Sequence, residues 1–324
     1  MANATDPGNR SSLSPDEAFA VLGNETRVSI LQTLGGEDDP LTFTELRNRV
    51  GIRQGSQFNY HLDKLVGHFV RKTDEGYTLR QAGTRVVEAV LSGAVTETVV
   101  IEPTRLDAPC PYCGADIEIS YREERLLVRC TDCVGSFGSK ESTSKSIGTV
   151  PPQTLTLSYL PSAGVSGRSP QDILDFSPGL SRVETITMAN GNCPRCAGSV
   201  DQSIEVCDDH RPNGAICGNC NTRFAVIYDY RCTNCNHRKR GGFSHHLLKD
   251  PRVRSFFGQQ GIDPIWTKWN DLSPIYDYDE DINSVDPFVA QFTFSVAGDN
   301  LIVSVNDDLI ITDISLIEDD STSD

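Results

Sequence analysis

No cysteine occurs in residues 1–109, and lysine, methionine and tryptophan number only seven, two and two in a chain of 324 residues. No apolar run approaches the ~18 residues that a membrane-crossing helix needs, which argues against a spanning protein. Residues 1–12 are polar and lack the apolar centre of a signal peptide, so the expected location is cytoplasmic. Collagen-like periodicity and low-complexity tracts are missing as well. So are a P-loop, a G-x-G-x-x-G stretch and any evident nucleophile, base and orienter set. The expectation is a non-enzyme, and at ~150 residues per domain the length suggests two or three domains with real cores.

Charge is abundant and one-sided: 45 acidic against 29 basic residues, a net charge of −16. Aspartate (29) exceeds glutamate (16), and arginine (22) exceeds lysine (7). This bias fits a halophilic protein kept soluble by surface carboxylates, although an ordinary acidic protein would also be acidic. The charge is unevenly spread. Residues 263–324 hold 15 acids and one base, whereas residues 43–85 hold eight bases and four acids.

Local patterns predict an α+β chain. Ser14-Pro15-Asp16-Glu17 opens a helix to Leu22, with proline in the first turn and acids at the positive end of the dipole. Further helices are expected over 26–34, 42–50, 56–67 and 82–92, with a hairpin over 69–79 turning at Asp74-Glu75-Gly76. Four helices, a hairpin and a helix form the order of a winged helix-turn-helix. The expected organisation is a disordered leader (1–12), a winged helix-turn-helix (13–95) and a zinc ribbon (99–134). A linker (135–152) and a region with a strand at 155–160 and a short helix opened by Ser169 (153–192) follow. Then come a double zinc-knuckle hairpin (193–242), a C-terminal helix and strands (243–317) and an acidic tail (318–324). Within 243–317 the helix is expected at 251–261 and strands at 288–296, 301–305 and 309–314.

On the predicted helix 56–67, Phe58, Leu62, Leu65 and Phe69 share one face. The other side carries Ser56, Tyr60, Asp63 and Lys64, flanked by Gln57 and Asn59. Amides suit adenine edges, and lysine suits guanine or phosphate. The candidate DNA contacts are Arg53, Gln54, Ser56, Gln57, Asn59, Tyr60 and Lys64, joined by Arg71, Lys72 and Arg80 of the hairpin on phosphates. Any amphipathic surface helix also has a polar outer face; the ordered arrangement and the local positive charge favour DNA.

The stretch LGNETRVSILQTL (residues 22–34) resembles the entry helix of ArsR-type winged-helix regulators. QFNYHLDKLVGHFV (57–70) with GYTLRQAG (76–83) resembles the recognition helix and wing of haloarchaeal members. The likeness covers residues 13–95 and implies a dimeric transcriptional regulator that binds double-stranded DNA. Such families dimerise through terminal helices, and Val86, Val87, Val90 and Leu91 form an apolar strip that would serve a homodimer or pack on the protein's own core. Metal-sensing members carry cysteine pairs inside the winged helix, and this chain has none there.

All eleven cysteines lie between Cys110 and Cys235. Ten form C-x-x-C pairs: Cys110/Cys113, Cys130/Cys133, Cys193/Cys196, Cys217/Cys220 and Cys232/Cys235. Cys207 and His210 repeat the spacing, so twelve ligands make three tetrahedral sites with none left over. Disulfides would strand one cysteine, so three zinc ions per chain are the better account. Sixteen residues separate Cys113 from Cys130, enough for a hairpin turning at residues 122–124 that closes a four-sulfur ribbon. Closed sites of this kind hold structure rather than an activated water, which argues against a zinc hydrolase.

For the second block, residues 223–230 look like an unbroken strand over 20 Å long. It would hold Cys217/Cys220 away from Cys232/Cys235, so a nested partition is expected: Cys193, Cys196, Cys232 and Cys235 on one ion, and Cys207, His210, Cys217 and Cys220 on another. An interleaved arrangement is the runner-up. The run His237-Arg238-Lys239-Arg240 is read as a solvated turn or a phosphate contact, and His245 and His246 as ordinary surface residues. Two functions compete. One is a sequence-specific DNA-binding regulator whose zinc region handles a small-molecule or protein effector, with no membrane partner. The other is a zinc-ribbon binding module of the transcription or RNA-processing machinery.

Overall fold

A computed structural model of the chain describes residues 13–93, 98–138, 150–211 and 216–318. The expected leader, most of the expected linker and nearly all of the acidic tail lie outside the described residues. The chain divides into two compact units, residues 1–97 with 161–163 and residues 98–160 with 164–324. Its fold is mixed α+β with several small antiparallel sheets. No helix among the described residues is long and apolar enough to cross a membrane.

In the first unit, Ser14 and Glu17 form a reciprocal capping box that starts α1 (Pro15–Leu22). Asn24 caps α2 (Glu25–Gly35), and a second capping box, Thr42 with Glu45, starts α3 (Phe43–Val50). Then follow α4 (Gly55–Leu65), the antiparallel pair β1 (Val70–Lys72) and β2 (Tyr77–Leu79), and α5 (Gln81–Leu91). Ile30, Leu31, Leu46, Phe58, Leu62 and Leu65 are fully buried in one shared core. The apolar spacing of α4 is what places it there. α5 starts hard against the hairpin: a Cβ on Gly83 would lie 2.3 Å from the Phe69 carbonyl oxygen, so only glycine fits.

The second unit opens with a four-stranded sheet in the order β3 (Ile101–Pro109), β4 (Asp116–Arg122), β5 (Arg125–Cys130) and β6 (Thr154–Tyr159). Glu123 and Glu124 turn β4 into β5 with both φ angles positive, at 52° and 58°. That matches the right-handed twist of the flanking strands. The expected short helix after Ser169 is instead α6 (Pro170–Ala189), 20 residues long. It runs through Pro178 because burial outweighs the lost hydrogen bond: Ile173, Leu174, Arg182, Thr185 and Met188 are all inside. The buried Arg182 guanidinium donates to the carbonyls of Ile265 and Thr267, anchoring a distant loop.

A second sheet joins β7 (Val200–Val206), β8 (Val226–Cys232) and β9 (Arg238–Gly242), all antiparallel. Strand β9 corrects the reading of residues 237–240 as a solvated turn. Arg238 pairs with Asp229, Lys239 with Glu184 and Arg240 with Glu205, so the run is a strand neutralised by acids. Three short helices follow, α7 (Ser244–Leu247), α8 (Pro251–Gln259) and α9 (Ser273–Tyr276). The unit ends in a meander of β10 (Asp279–Val285), β11 (Phe288–Val296), β12 (Asp299–Val305) and β13 (Ile311–Ile317). Strand β10 was not anticipated, because its inward-facing Glu280 is as acidic as the outward Asp279 and Asp281, which hides the alternation.

His246 is also a correction: it is fully buried, not a surface residue. Its Nε2 donates to the Leu309 carbonyl, Tyr230 donates its hydroxyl proton to Nδ1, and burial pushes its pKa down to about 3. His245 is half-buried with its ring edge-on to Tyr276, and burial lowers its pKa to about 3 likewise. Both stay neutral because the interior penalises the charged ring.

The two faces of α4 give a direct test. Replacing buried Leu62 by Ala should cost about 2–5 kcal/mol in the urea transition of the first unit. Replacing exposed Lys64 by Ala should change it by less than about 0.5 kcal/mol.

Candidate functional site

The structure brings together the twelve predicted ligands in three groups. Cys110, Cys113, Cys130 and Cys133 form one; Cys193, Cys196, Cys232 and Cys235 a second; Cys207, His210, Cys217 and Cys220 a third. In each group the donor atoms lie within 4.8 Å of one another, and sulfur pairs at 3.5–3.7 Å in the first two groups fit the edge of about 3.8 Å around a tetrahedral ion with metal–sulfur bonds near ~2.3 Å.

A repeated turn builds four of the pairs. The first cysteine donates its N–H to the carbonyl five residues on: Cys110 to Ala115, Cys193 to Gly198, Cys217 to Thr222 and Cys232 to His237, at 2.7–3.0 Å. The residue after the second cysteine adopts positive φ: Gly114 (74°), Ala197 (57°), Asn221 (59°) and Asn236 (57°). Glycine and asparagine accept that conformation readily. Backbone N–H groups turn inward onto the sulfurs, as with Asn234 and Cys235 onto Cys232, both at 3.4 Å.

Strand register decides how the second block divides. Val200 pairs with Cys232 and Val206 with Val226, so β7 and β8 run antiparallel over their full length. Seven residues at ~3.3 Å keep the two ends more than ~20 Å apart. Cys193 and Cys196 therefore meet Cys232 and Cys235 at one end, with sulfur pairs at 3.6 and 3.5 Å. At the other end Cys207 donates its N–H to Ala225, which sets it beside Cys217 and Cys220. The nested arrangement is the one present; part of the intervening loop, residues 212–215, lies outside the described residues.

His210 is oriented by a neighbour that its own sequence position does not reveal. Its Nε2 lies 3.1 Å from the Arg223 carbonyl, which can only accept, so Nε2 carries the proton. That leaves the Nδ1 lone pair facing the sulfurs, 3.4 Å from Cys220. Arg223 also reaches the first centre. Its N–H donates to Ser136, its Nε to the Gly135 carbonyl, and its guanidinium lies 3.9 Å from the Tyr112 ring centroid. Tyr112 sits between the ligands Cys110 and Cys113 and shares a hydrogen bond with Ser136.

Crowding splits the thiol pKa values. The Asn234 amide and the Gly198 N–H hold Cys196 down to about 6. At Cys235 the His237 backbone favours the thiolate, but burial and the neighbouring cysteines outweigh it and push the group up to about 12. Burial, with Cys220 and Cys217 nearby, raises Cys207 to about 12, and burial raises Cys133 to about 11. Some thiols in each group thus resist ionising beside their neighbours, and a divalent cation reverses that penalty.

The ten predicted DNA-contact residues, Arg53, Gln54, Ser56, Gln57, Asn59, Tyr60, Lys64, Arg71, Lys72 and Arg80, are all exposed. Arg53, Lys64, Arg71, Lys72 and Arg80 take part in none of the ion pairs among the described residues. Asn59 donates to Asp63 at 2.7 Å, and Lys64 lies 5.8 Å from the Tyr60 ring. The apolar strip divides: Val86 and Val87 pack in the core of the first unit, Val90 is half-buried, and Leu91 is 66% exposed.

Residues 15–90 match a family model described as a domain of unknown function, DUF7347, and residues 107–311 match another, DUF7351. No curated protein and no solved structure matches the chain.

Metal analysis should find three divalent ions per loaded chain, and two after Cys232 and Cys235 are both changed to Ser. Thiols must shed protons to ligate, so loading releases protons and affinity falls as pH falls. Dialysis at about pH 5 should strip metal that is retained at about pH 8, as read by the same analysis.

Proposed function

We propose that this chain, which belongs to the DUF7351 family, is a sequence-specific DNA-binding transcriptional regulator with three structural zinc ions. The observation that carries the reading is the contrast in how basic residues are used. In a chain of net charge −16, Arg238, Lys239 and Arg240 of the second unit are paired with acids, while five exposed cations before α4, on it and around the hairpin, Arg53, Lys64, Arg71, Lys72 and Arg80, form no ion pair. Unpaired cations beside exposed amides are what phosphate and base edges require.

The first unit serves as a winged helix-turn-helix of ArsR type. α4 enters the major groove, with Gln57 and Tyr60 at base edges. Sulfur-rich tetrahedral donor sets favour zinc, which completes the second unit's fold without an open position for chemistry. Exposed Phe19 and Leu91 on the first and last helices of the first unit support a homodimer. The second unit takes the effector. The alternative of a ribbon module reading nucleic acid is disfavoured by the neutralised β9 run.

Selection from a random duplex pool by the full chain tests the reading; failure to enrich any sequence would reject it. Gln57→Ala should relax preference at one position, at a cost of about 1–3 kcal/mol. Binding should also persist at molar potassium chloride. At ~1 M the Debye length is about 3 Å, so short-range hydrogen bonds and packing carry recognition. Anisotropy titrations across salt check this, and a steep loss of specific binding would contradict it.

A further inference from the structure

Strand β9 ends in Gly241-Gly242, and two bare backbone positions there leave space inside the second unit. A Cβ on Gly241 would lie 3.1 Å from the Tyr228 hydroxyl, and one on Gly242 would lie 3.0 Å from the Phe224 ring. The space continues as a cavity of about 70 Å³ bounded by β6, α6, β8, β9, α7 and α9, room for roughly five waters. Leu155, Leu157, Pro178 and Phe224 give it an apolar wall.

The polar wall is rich in donors. Thr185 donates its hydroxyl to the Ser181 carbonyl at 3.0 Å, so Tyr228 is the donor in its 3.2 Å contact with Thr185, and both protons are committed. Other donors are not. Lys239 donates to Ser181 Oγ at 3.0 Å, which leaves the serine its own proton to give. Ser244 and Tyr276, 2% and 8% exposed, make no hydrogen bond through their hydroxyls among the described residues. The Nε of Arg240 is buried without a partner. Ser181, Arg240, Ser244 and Tyr276 all line the cavity.

The surplus charge nearby is positive. Lys239 and Arg240 are matched by Glu184 and Glu205. Arg182, one turn along α6 from Pro178, is not. It is 1% exposed, donates to the carbonyls of Ile265 and Thr267, and keeps Nη1 buried without a partner. It forms no ion pair among the described residues. Its field reaches the cavity, where it opposes a charge on His245 and favours one on Tyr276. A buried cation without a counter-charge is costly, and an anion beside it relieves that cost.

We propose that this cavity binds a small monocarboxylate with a compact apolar or aromatic body. A carboxylate accepts up to about four hydrogen bonds, which suits the uncommitted donors, and its single charge answers Arg182. Its body packs on Leu155, Leu157 and Phe224, which an inorganic anion would leave uncovered. Charge-assisted hydrogen bonds made away from water supply the affinity. The proposal deepens the reading of the second unit as the part that takes the effector, and rests on it only for the consequence, since the binding itself needs no DNA.

Isothermal titration of benzoate, and of the smaller isobutyrate, into the full, metal-loaded chain tests this. At least one should bind with a stoichiometry of one per chain. The uncharged counterpart, benzyl alcohol or isobutanol, should bind about tenfold more weakly or worse. Tyr276→Phe, which keeps the ring and removes the hydroxyl, should weaken the carboxylate about tenfold. Gly241→Ala, which sets a methyl group into the space, should weaken it as much. Melting curves and metal content matching the wild type qualify each variant. No binding of either carboxylate, equal binding of the uncharged counterpart, equal competition by sulfate, or wild-type affinity in both variants would overturn the proposal. Anisotropy on a duplex selected by the full chain separates the two readings. A change in duplex affinity at saturating carboxylate, absent from Tyr276→Phe at the same concentration, supports the effector role. Carboxylate binding with duplex affinity unchanged keeps the cavity and rejects that role. A chain that selects no duplex rejects the DNA-binding reading and leaves the titration result standing.

Discussion

Four sulfur or nitrogen donors held within 4.8 Å of one another cannot all take their ligating form unless a cation lies between them. Much of the second unit follows from that demand. The recurrent turn points backbone N–H groups at the sulfurs, and the positive-φ residue after the second cysteine lets the chain leave the turn toward a strand. Strands of defined length then bring one pair to the next. β4 and β5 return Cys130 to Cys110 and Cys113, whereas β7 and β8 hold two centres apart. Aromatic packing fills the space between: Phe243 stacks on Phe292 at 4.7 Å, and Tyr228 on Tyr230 at the same distance. The candidate metal ligands Cys110 and Cys130 and an ordinary apolar core are thereby one structure.

What could be read beforehand was whatever depends on short-range rules. Cysteine spacing and ligand count require only counting, and the partition of the second block follows because an unbroken strand cannot bring its ends to one ion. The helices of the first unit are announced by Ser14, Thr42 and the apolar spacing of Phe58, Leu62 and Leu65. What escaped depends on partners far along the chain. Arg238, Lys239 and Arg240 become a strand because Asp229, Glu184 and Glu205 wait for them. Pro178 sits in mid-helix because distant side chains bury it. His246 looks like any polar residue until Tyr230 and Leu309 surround it. His210 is identifiable from spacing, but its protonated nitrogen is set by the carbonyl of Arg223.

The two units use charge in different ways. In the second, acids pair with bases across strands or coat the outer face of the C-terminal meander, as the alternating exposure of β10 shows. In the first, Glu17 and Glu45 serve as helix caps, with hydrogen bonds from the cap residues holding their pKa values down, and of the basic residues only Arg49 forms an ion pair among the described residues. Cations are left over as a result. A chain of net charge −16 thereby keeps one limited region of exposed cations without ion pairs.

Arg223 belongs to two centres at once: its carbonyl orients His210, while its N–H, Nε and guanidinium hold Ser136, Gly135 and Tyr112 beside the first four-sulfur group. Ions bound at the two groups would share the cost of ordering that one residue, and removing either would return freedom to the residue that braces the other, so their binding would be linked rather than site by site.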